Sequence, residues 1–352
     1  MINFYTENGY IDMEKVISLP YPFIFVVHGR GTGKTYGAFK YLLDHPEQKF
    51  MVMRRTQIEA DTIGFTDFSP FQPVLADNPE KYKPVYVGGI PHVKNISGVW
   101  AAQLDERTGK LAPEGEPIGY ICALNTISNI RGFNGEQIKI MIYDEFIPER
   151  GARSIKNEGE AIVNAYETIN RNRELKGQAA LKMVFLANAN KLSSPIFQTL
   201  GIMDKIDKIA MTDQETCFLP DRGIAILKLR NSSISSAKAD TALYRATSNR
   251  EFAAMALKNE FDTSVYLYVQ REPINEYKLV AVYEDVCIYR HKSKRWWYVS
   301  HHKRGTEKYH YIDEEFSRKK MKKDLVLFFD AWLHGNVSFE DYYCKLVLTN
   351  SL

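Results

Sequence analysis

Short apolar runs recur through the first part of the chain, separated by polar or helical stretches. The runs are residues 22–27, 49–53, 119–124, 138–143 and 181–187. Apolar runs of this length are typical of strands buried on both faces of a parallel sheet. Residues 35–43 predict a helix directly after the first run. Strands that alternate with helices indicate an α/β domain with a largely parallel sheet.

One segment between these runs predicts an inserted hairpin instead. Residues 85–93 carry two apolar stretches around Gly88 and Gly89. Consecutive glycines supply the positive φ angles of a tight turn, so we predict that the hairpin reverses there, at an edge of the sheet.

The pattern changes after the middle of the chain. Residues 231–262 are rich in Ser, Ala, Lys, Asn and Arg in a helical, polar pattern, which indicates a helical linker or lid. Three short antiparallel strands are predicted next, followed by helices, so the C-terminal part is a small α+β domain. These strands are residues 277–283, 286–290 and 295–300.

The length of 352 residues is too great for one simple core, so a division into domains is expected. The predicted parts are residues 1–225, 226–264 and 265–352. A hydrophobic content of 45% with 25% charged residues is ordinary globular composition. No CxxC pair occurs among the four cysteines, which argues against a disulfide framework. No apolar run approaches the length of a membrane span, so we expect a soluble protein in a reducing, cytoplasmic compartment.

A phosphate-binding loop is predicted between the first strand and the first helix. The segment is His28, Gly29, Arg30, Gly31, Thr32, Gly33, Lys34 and Thr35. It matches the P-loop pattern GxxxxGKS or GxxxxGKT, except that His28 stands at the first glycine. In such loops backbone N–H groups face the phosphates, the lysine reaches the terminal phosphates, and Ser or Thr holds Mg²⁺. We therefore predict that residues 29–35 bind ATP and that Thr35 is a magnesium ligand.

The apolar run at 138–143 is followed by two acids, Asp144 and Glu145, as in a Walker B strand. A strand of this kind places its terminal acid beside the phosphate loop, where Asp144 holds Mg²⁺ and Glu145 polarises the attacking water. Small-molecule kinases need no such glutamate. The pair therefore favours ATP hydrolysis over phosphoryl transfer.

Three further candidates have alternative interpretations. Arg30 contacts either the γ-phosphate or a neighbouring acidic group, or it is an exposed arginine without a role. Asn188 follows the strand 181–187 and either senses the γ-phosphate or caps a turn. Arg171 and Arg173 follow a helical stretch and are either solvated or supply an arginine finger to a neighbouring subunit.

The near-neutral formal charge of +3 hides a concentrated basic segment. Residues 289–323 contain twelve Lys or Arg and four Asp or Glu, a formal charge of +8. Aromatic residues at 296–298, 309 and 311 are interleaved, which is consistent with a nucleic-acid surface or with tryptophans in a core. His301, His302 and His310 have no Cys or carboxylate at ligand-like spacing, so we interpret them as surface histidines rather than a metal site.

Together these motifs resemble the DNA-packaging ATPases of phi29-type tailed bacteriophages, which are FtsK/HerA-like and terminase-like P-loop ATPases of the ASCE class. The residues that carry the resemblance are the loop at 29–35, residues 53–55, residues 143–147, residues 170–174, residues 186–189 and residues 331–335. In order and approximate spacing they cover most of the chain.

This resemblance implies an ATP-driven motor that moves double-stranded DNA into a viral prohead. It implies a homomeric ring, a pentamer, in which Arg171 acts in trans as the finger, with Arg173 as the alternative. It also implies docking on the portal vertex through a structural RNA, in the cytoplasm of the infected bacterium. The resemblance also implies an RNase H-like nuclease fold for the C-terminal domain. We expect this nuclease to be vestigial, because residues 278–283 contain no Asp that could bind a catalytic metal.

Two other functions compete with this one. The first is a large-terminase-like motor with an active nuclease. The second is a nucleotide-dependent switch or scaffold that moves nothing. Plasmid cleavage with Mg²⁺ or Mn²⁺ distinguishes the first, and DNA-stimulated ATP hydrolysis excludes the second.

Overall fold

The computed structural model describes residues 2–130, 135–148, 155, 157–188, 194–230, 232–238, 240–246 and 268–351. It contains two compact units. The first unit is Met1–Leu200 with Thr212–Asp262, and the second is Gly201–Met211 with Thr263–Leu352. Among the helices within these described ranges, none is long and apolar enough to cross a membrane.

A nine-stranded sheet forms the centre of the first unit, in the order β3-β4-β5-β2-β6-β7-β1-β9-β8. Its strands are β1 Phe23–Val27, β2 Phe50–Arg54, β3 Val85–Gly89, β4 Ile96–Asp105, β5 Lys110–Ala123, β6 Ile140–Asp144, β7 Lys182–Ala187, β8 Thr216–Leu219 and β9 Ile224–Lys228. The strands from β5 to β9 in this order pair in parallel, and antiparallel strands flank them at both edges. The predicted α/β class with a mostly parallel sheet is confirmed.

Helices cover this sheet and bury its apolar strands. They are α1 Met13–Ile17, α2 Lys34–Asp44, α3 Gln57–Ile63, α4 Phe71–Asp77, α5 Glu158–Asn170, α6 Pro195–Thr199, α8 Ser233–Lys238 and α9 Ala242–Ala246. On one face, side chains from β1 and β2 pack with α2 and α4 in a single core; an example is the edge-to-face pair of Phe39 and Phe71. Continuous apolar strands are explained by this burial on both faces.

The hairpin predicted at 85–93 exists, but its turn lies elsewhere. Gly88 and Gly89 are inside the β3–β4 ladder, where they pair with Gly98 and Ser97. The positive φ angles fall instead at His92 and Asn95. The prediction was wrong on the turn because a glycine pair also tolerates an extended conformation.

The linker predicted at 226–264 is only partly covered by the described residues. Its start falls inside β9, which pairs with β1 from Ile224 to Lys228, so the sheet continues past residue 225. The helices α8 and α9 follow, and residues 247–264 lie outside the described ranges. The three domain boundaries stay a prediction.

A five-stranded sheet organises the second unit, in the order β13-β10-β11-β12-β14. Its elements are α7 Met203–Met211, β10 Tyr277–Tyr283, β11 Val286–His291, β12 Trp297–Ser300, β13 Tyr309–Tyr311, α10 Glu315–Asp324, α11 Val326–Leu333, β14 Val337–Phe339 and α12 Tyr342–Asn350. The predicted antiparallel meander is β10–β11–β12. β13 and β14 pair in parallel at its two sides, which the sequence pattern did not indicate.

The interleaved aromatic residues of the basic segment belong largely to this core. Trp297, Tyr298 and Tyr311 are buried. Trp296 and Tyr309 are partly buried, and the Trp296 indole donates a hydrogen bond to Ser338. The core interpretation therefore applies to most of these rings, and the basic charges carry the remaining argument for nucleic acid.

His301 has acidic and thiol neighbours that lie far away in the sequence. Its Nε2 is 3.0 Å from Asp341 Oδ2, and the donor atoms of His301, Asp341 and Cys344 lie within 4.8 Å of one another. The hydrogen bond that His301 donates to the Asp341 carboxylate raises the pKa of His301. His301 is exposed, as the surface interpretation predicts, but sequence spacing could not reveal the partners that β12 and α12 bring to it.

Candidate active site

The loop between β1 and α2 has the backbone that phosphate binding requires. Gly31 and Gly33 have φ angles of 65° and 87°, in the left-handed region that favours glycine. A Cβ at Gly31 would lie 1.7 Å from Lys238 Nζ, and one at Gly33 would lie 3.1 Å from the Tyr10 ring. Helix α2 begins at Lys34, directly after the loop, so free N–H groups of its first turn face the loop.

His28, which replaces the first glycine of the pattern, supports the loop as a neutral side chain. Its Nδ1 accepts a hydrogen bond from the Gly29 N–H at 2.6 Å. The proton must therefore be on Nε2, which is 2.9 Å from the Tyr5 hydroxyl. Burial lowers the pKa of His28 to about 3, so the imidazole carries no charge near neutral pH. Thr32 is also buried and donates to the Gly29 carbonyl at 3.0 Å, so its hydroxyl stabilises the loop internally.

Lys34 is held inside the loop by oxygen atoms. Its Nζ donates to the carbonyls of His28 and Gly29 and, at 3.0 Å, to Asn188 Oδ1. Burial lowers the pKa of Lys34 to about 7, and the nearby Asp144 opposes this effect. An anion at the loop would favour the charged ammonium.

Thr35 and Asp144 meet at the carboxyl end of the sheet. The Thr35 hydroxyl donates to Asp144 Oδ2 at 3.1 Å, although β7 separates the strand before the loop from β6. Asp144 is 2% exposed, at the last position of β6. Hydroxyl and carboxylate oxygens are the ligands that Mg²⁺ prefers, so this pair fits a magnesium ion.

Arg54 is a site residue whose contacts the sequence did not predict. Its guanidinium is 2.8 Å from Asp144 Oδ2 and 2.8 Å from Glu145 Oε2. Glu145 has a φ angle of 59°, which is uncommon for a residue other than glycine and directs the chain sharply away from β6. Arg54 ends β2, the neighbour of β6, so only the strand order reveals this contact.

A cavity of about 870 Å³ joins these groups to the N-terminal segment. Its wall contains loop and helix residues from Arg30 to Asp44, together with Asp144, Glu145 and Asn188. Thr6, Asn8 and Tyr10 complete it, and the sequence offered no signal for them. The Ile11 N–H donates to the Thr32 carbonyl at 2.9 Å, which fixes the N-terminal segment against the loop.

The two arginines predicted as fingers lie elsewhere. Arg171 and Arg173 line a second cavity of about 640 Å³ with Lys49 and Lys139, which precede β2 and β6. This cavity therefore lies at the amino ends of the parallel strands, whereas the loop lies at their carboxyl ends. Arg173 is 3% exposed, and its Nη2 donates to backbone carbonyls of Gly135 and Glu136. Arg171 is half-buried, and its Nε donates to the Thr168 carbonyl.

Arg173 therefore supports the loop before β6, and this role disfavours it as a finger. Arg171 remains the better candidate of the two. Neither arginine lines the cavity beside the phosphate loop of its own chain, and a role of Arg171 in a neighbouring subunit stays a prediction.

Comparisons with known proteins concern the fold and the family of the chain. Two solved structures have a similar fold over nearly the whole chain. The Phi-28 gp11 DNA packaging motor has a TM-score of 0.64 and 18% identity, and covers 98% of this chain and 97% of that chain. The bacteriophage Phi-29 viral genome packaging motor assembly has a TM-score of 0.67 and 19% identity, and covers 97% and 98%. No curated protein sequence matches.

A family model gives the assignment by sequence. The model of the Podovirus DNA encapsidation protein (Gp16) matches residues 111–327, which is more than half of the chain. This segment includes Asp144, Glu145 and Asn188, whereas the loop at 28–35 precedes it. The resemblance to phi29-type packaging proteins is thereby confirmed, and the chain belongs to the family of podovirus DNA encapsidation proteins.

Proposed function

We propose that this encapsidation protein is a magnesium-dependent ATPase whose hydrolysis of ATP drives double-stranded DNA into a viral prohead. The observation that carries the proposal is the convergence of Lys34, Thr35, Asp144 and Asn188 at one glycine-rich loop. These residues come from the helix after the loop and from the ends of two strands. Glu145 lies in the wall of the same cavity.

Each of these groups has a role that its chemistry supports. Lys34 and the N–H groups of residues 29–35 bind the terminal phosphates. Thr35 and Asp144 would hold Mg²⁺, which neutralises charge on the phosphate oxygens when it is bound. Asn188 contacts Lys34, so it is suited to sense the γ-phosphate.

Glu145 is the proposed general base. Its carboxylate forms an ion pair with Arg54 in this structure. To accept a proton from the attacking water, Glu145 has to release that contact and turn towards the γ-phosphate. The ion pair with Arg54 is thus a resting arrangement of the base.

The motor is proposed to be a homomeric ring, a pentamer, that docks on the portal vertex of the prohead in the cytoplasm of the infected bacterium. A site completed by Arg171 of a neighbouring subunit suits such a ring. The basic segment 289–323 is the proposed contact with a structural RNA, since phosphates bind concentrated Lys and Arg.

The active-nuclease alternative has little support. Among the described strands, β10 carries no Asp or Glu from Tyr277 to Tyr283, and the acids Glu284 and Asp285 follow only at its turn. We therefore propose that the C-terminal unit is a vestigial nuclease fold that binds and does not cut. Plasmid DNA that is cleaved with Mn²⁺ would revive the alternative.

Substitution of the proposed base tests the function. Glu145→Gln should bind ATP as well as wild type but lose DNA-stimulated hydrolysis, by about 100-fold or more, because the amide cannot accept the proton. Glu106→Gln, an exposed glutamate in a turn, is the control. We would measure ATP binding by calorimetry and phosphate release with and without DNA. Undiminished hydrolysis by Glu145→Gln, or a wild type that DNA does not stimulate, would refute the proposal.

A further inference from the structure

A second lysine reaches the phosphate loop from the segment after the sheet. Lys238 is the last residue of α8, and its Nζ donates a hydrogen bond to the Arg30 carbonyl at 2.8 Å. The same ammonium fills the space that a side chain at Gly31 would occupy. Gly31 therefore leaves room for Lys238 as well as adopting its positive φ angle.

Helix α8 is fixed in this place by the N-terminal segment. The Ser232 hydroxyl donates to the Gly9 carbonyl at 2.6 Å, and a Cβ at Gly9 would collide with the Ser233 hydroxyl. The N-terminal segment in turn contacts the loop, through the Ile11 N–H and the Thr32 carbonyl. The N-terminal segment thus contacts both α8 and the loop, and these contacts hold Lys238 close to the loop.

The charges around the loop call for an anion. Lys34 and Arg30 already bring positive charge there, and Lys238 lies near enough to help lower the pKa of Lys34. Burial also lowers the pKa of Lys238 itself. Within the described ranges, Lys238 has no carboxylate at ion-pair distance, and its Nζ donates to a neutral carbonyl. Asp144 and Glu145 offset part of this positive charge at Lys34, and a polyanion at the loop would favour the charged form of both lysines.

We propose that Lys238 is an additional ligand of the terminal phosphate, so that α8 moves with the state of the bound nucleotide. This inference rests on the proposed ATP site. When nucleotide binds, the Lys238 ammonium would donate to a phosphate oxygen in place of the Arg30 carbonyl. The new hydrogen bond is stronger because its acceptor is charged. ATP, which has the terminal phosphate, then holds α8 on the loop more firmly than ADP does.

Binding measurements on the full chain test this role. Lys238→Ala should weaken binding of Mg-ATPγS by about tenfold or more and binding of Mg-ADP by less than about threefold, the loss expected for one charged hydrogen bond. Lys238→Arg should keep most of the affinity. Lys94→Ala, which removes an exposed lysine between β3 and β4, should bind both nucleotides as wild type does.

The outcomes separate the inference from the function beneath it. Equal loss of both affinities would make Lys238 a structural support of the loop and overturn the inference. So would unchanged affinity for ATPγS in Lys238→Ala. A wild type that binds neither nucleotide would refute the ATP site itself.

Chemical labelling answers the same question without a variant. Acetylation of wild-type lysines, read by mass spectrometry, should slow at Lys238 with ATPγS, slow less with ADP, and stay constant at Lys94. Equal protection of Lys238 by both nucleotides would contradict a contact with the terminal phosphate.

Discussion

At the scale of single residues, the Arg54 guanidinium forms ion pairs with two carboxylates, those of Asp144 and Glu145. The Asp144 carboxylate is 2% exposed, so it would be costly to bury without a cation. Arg54 supplies that charge here, and Mg²⁺ would supply it with nucleotide. Arg54 and a bound Mg²⁺ would therefore compete for the carboxylate of Asp144.

Removal of this arginine should make the protein depend on the metal. In Arg54→Ala the buried Asp144 carboxylate keeps the Thr35 hydroxyl but loses its ion pair, at a cost of up to about 3–5 kcal/mol, and the melting temperature without Mg²⁺ should fall. Mg²⁺ with ADP should restore more of the melting temperature in the variant than it adds to wild type. Arg54→Lys, which keeps the charge, is the control. Thermal unfolding with and without Mg-ADP measures both effects, and equal gains in variant and wild type would contradict the competition.

Arg55, directly after β2, connects secondary-structure elements. Arg55 forms a bidentate ion pair with Glu158, at 2.9 and 3.1 Å, and both side chains are almost fully buried. Tyr143 of β6 donates its hydroxyl to the same carboxylate. Since Glu158 begins α5, this contact ties the helix that leads towards Arg171 to two central strands.

Loss of one partner should cost far more than loss of both. Arg55→Ala leaves Glu158 buried and unpaired, so we expect the free energy of unfolding to fall by about 3–5 kcal/mol. The double variant Arg55→Met with Glu158→Leu should recover much of this, because apolar side chains of similar size need no partner. Urea unfolding gives both values. A double variant that is no more stable than Arg55→Ala would show that the pair itself holds α5 in place.

The sequence could predict those elements whose conformation is determined by the local pattern of apolar and polar residues. The runs at 22–27 and 138–143 became β1 and β6, because a short, largely apolar run bounded by polar or glycine-rich segments leaves few alternatives. The strand order is a property of pairing between distant segments. Arg54 at Asp144, Tyr5 at His28 and Lys238 at the loop all follow from that order or from how terminal segments fold back. For this reason the loop was predictable and most of its supports were not.

The placement of Arg171 has its meaning at the scale of the whole molecule. It lines a cavity at the amino ends of the parallel strands, whereas the loop lies at their carboxyl ends, so the proposed finger would act on a neighbouring chain. In a ring, the surface of one subunit that carries Arg171 can face the phosphate loop of the next subunit. Hydrolysis would then need neighbours, and a dilute monomer should be nearly inactive.

Mixed rings test this directly. Arg171→Ala and Glu145→Gln should each lose hydrolysis, the former by about 1,000-fold or more, the range of arginine fingers. When the two variants are mixed, an Arg171→Ala site next to a Glu145→Gln subunit has its own base and the neighbour's arginine, so activity should return. Mixing Arg171→Ala with the double variant Glu145→Gln, Arg171→Ala should restore nothing, since no arginine is supplied. Phosphate release from the mixtures is the measurement. If the first mixture stays as inactive as its components while forming rings, Arg171 does not act in trans.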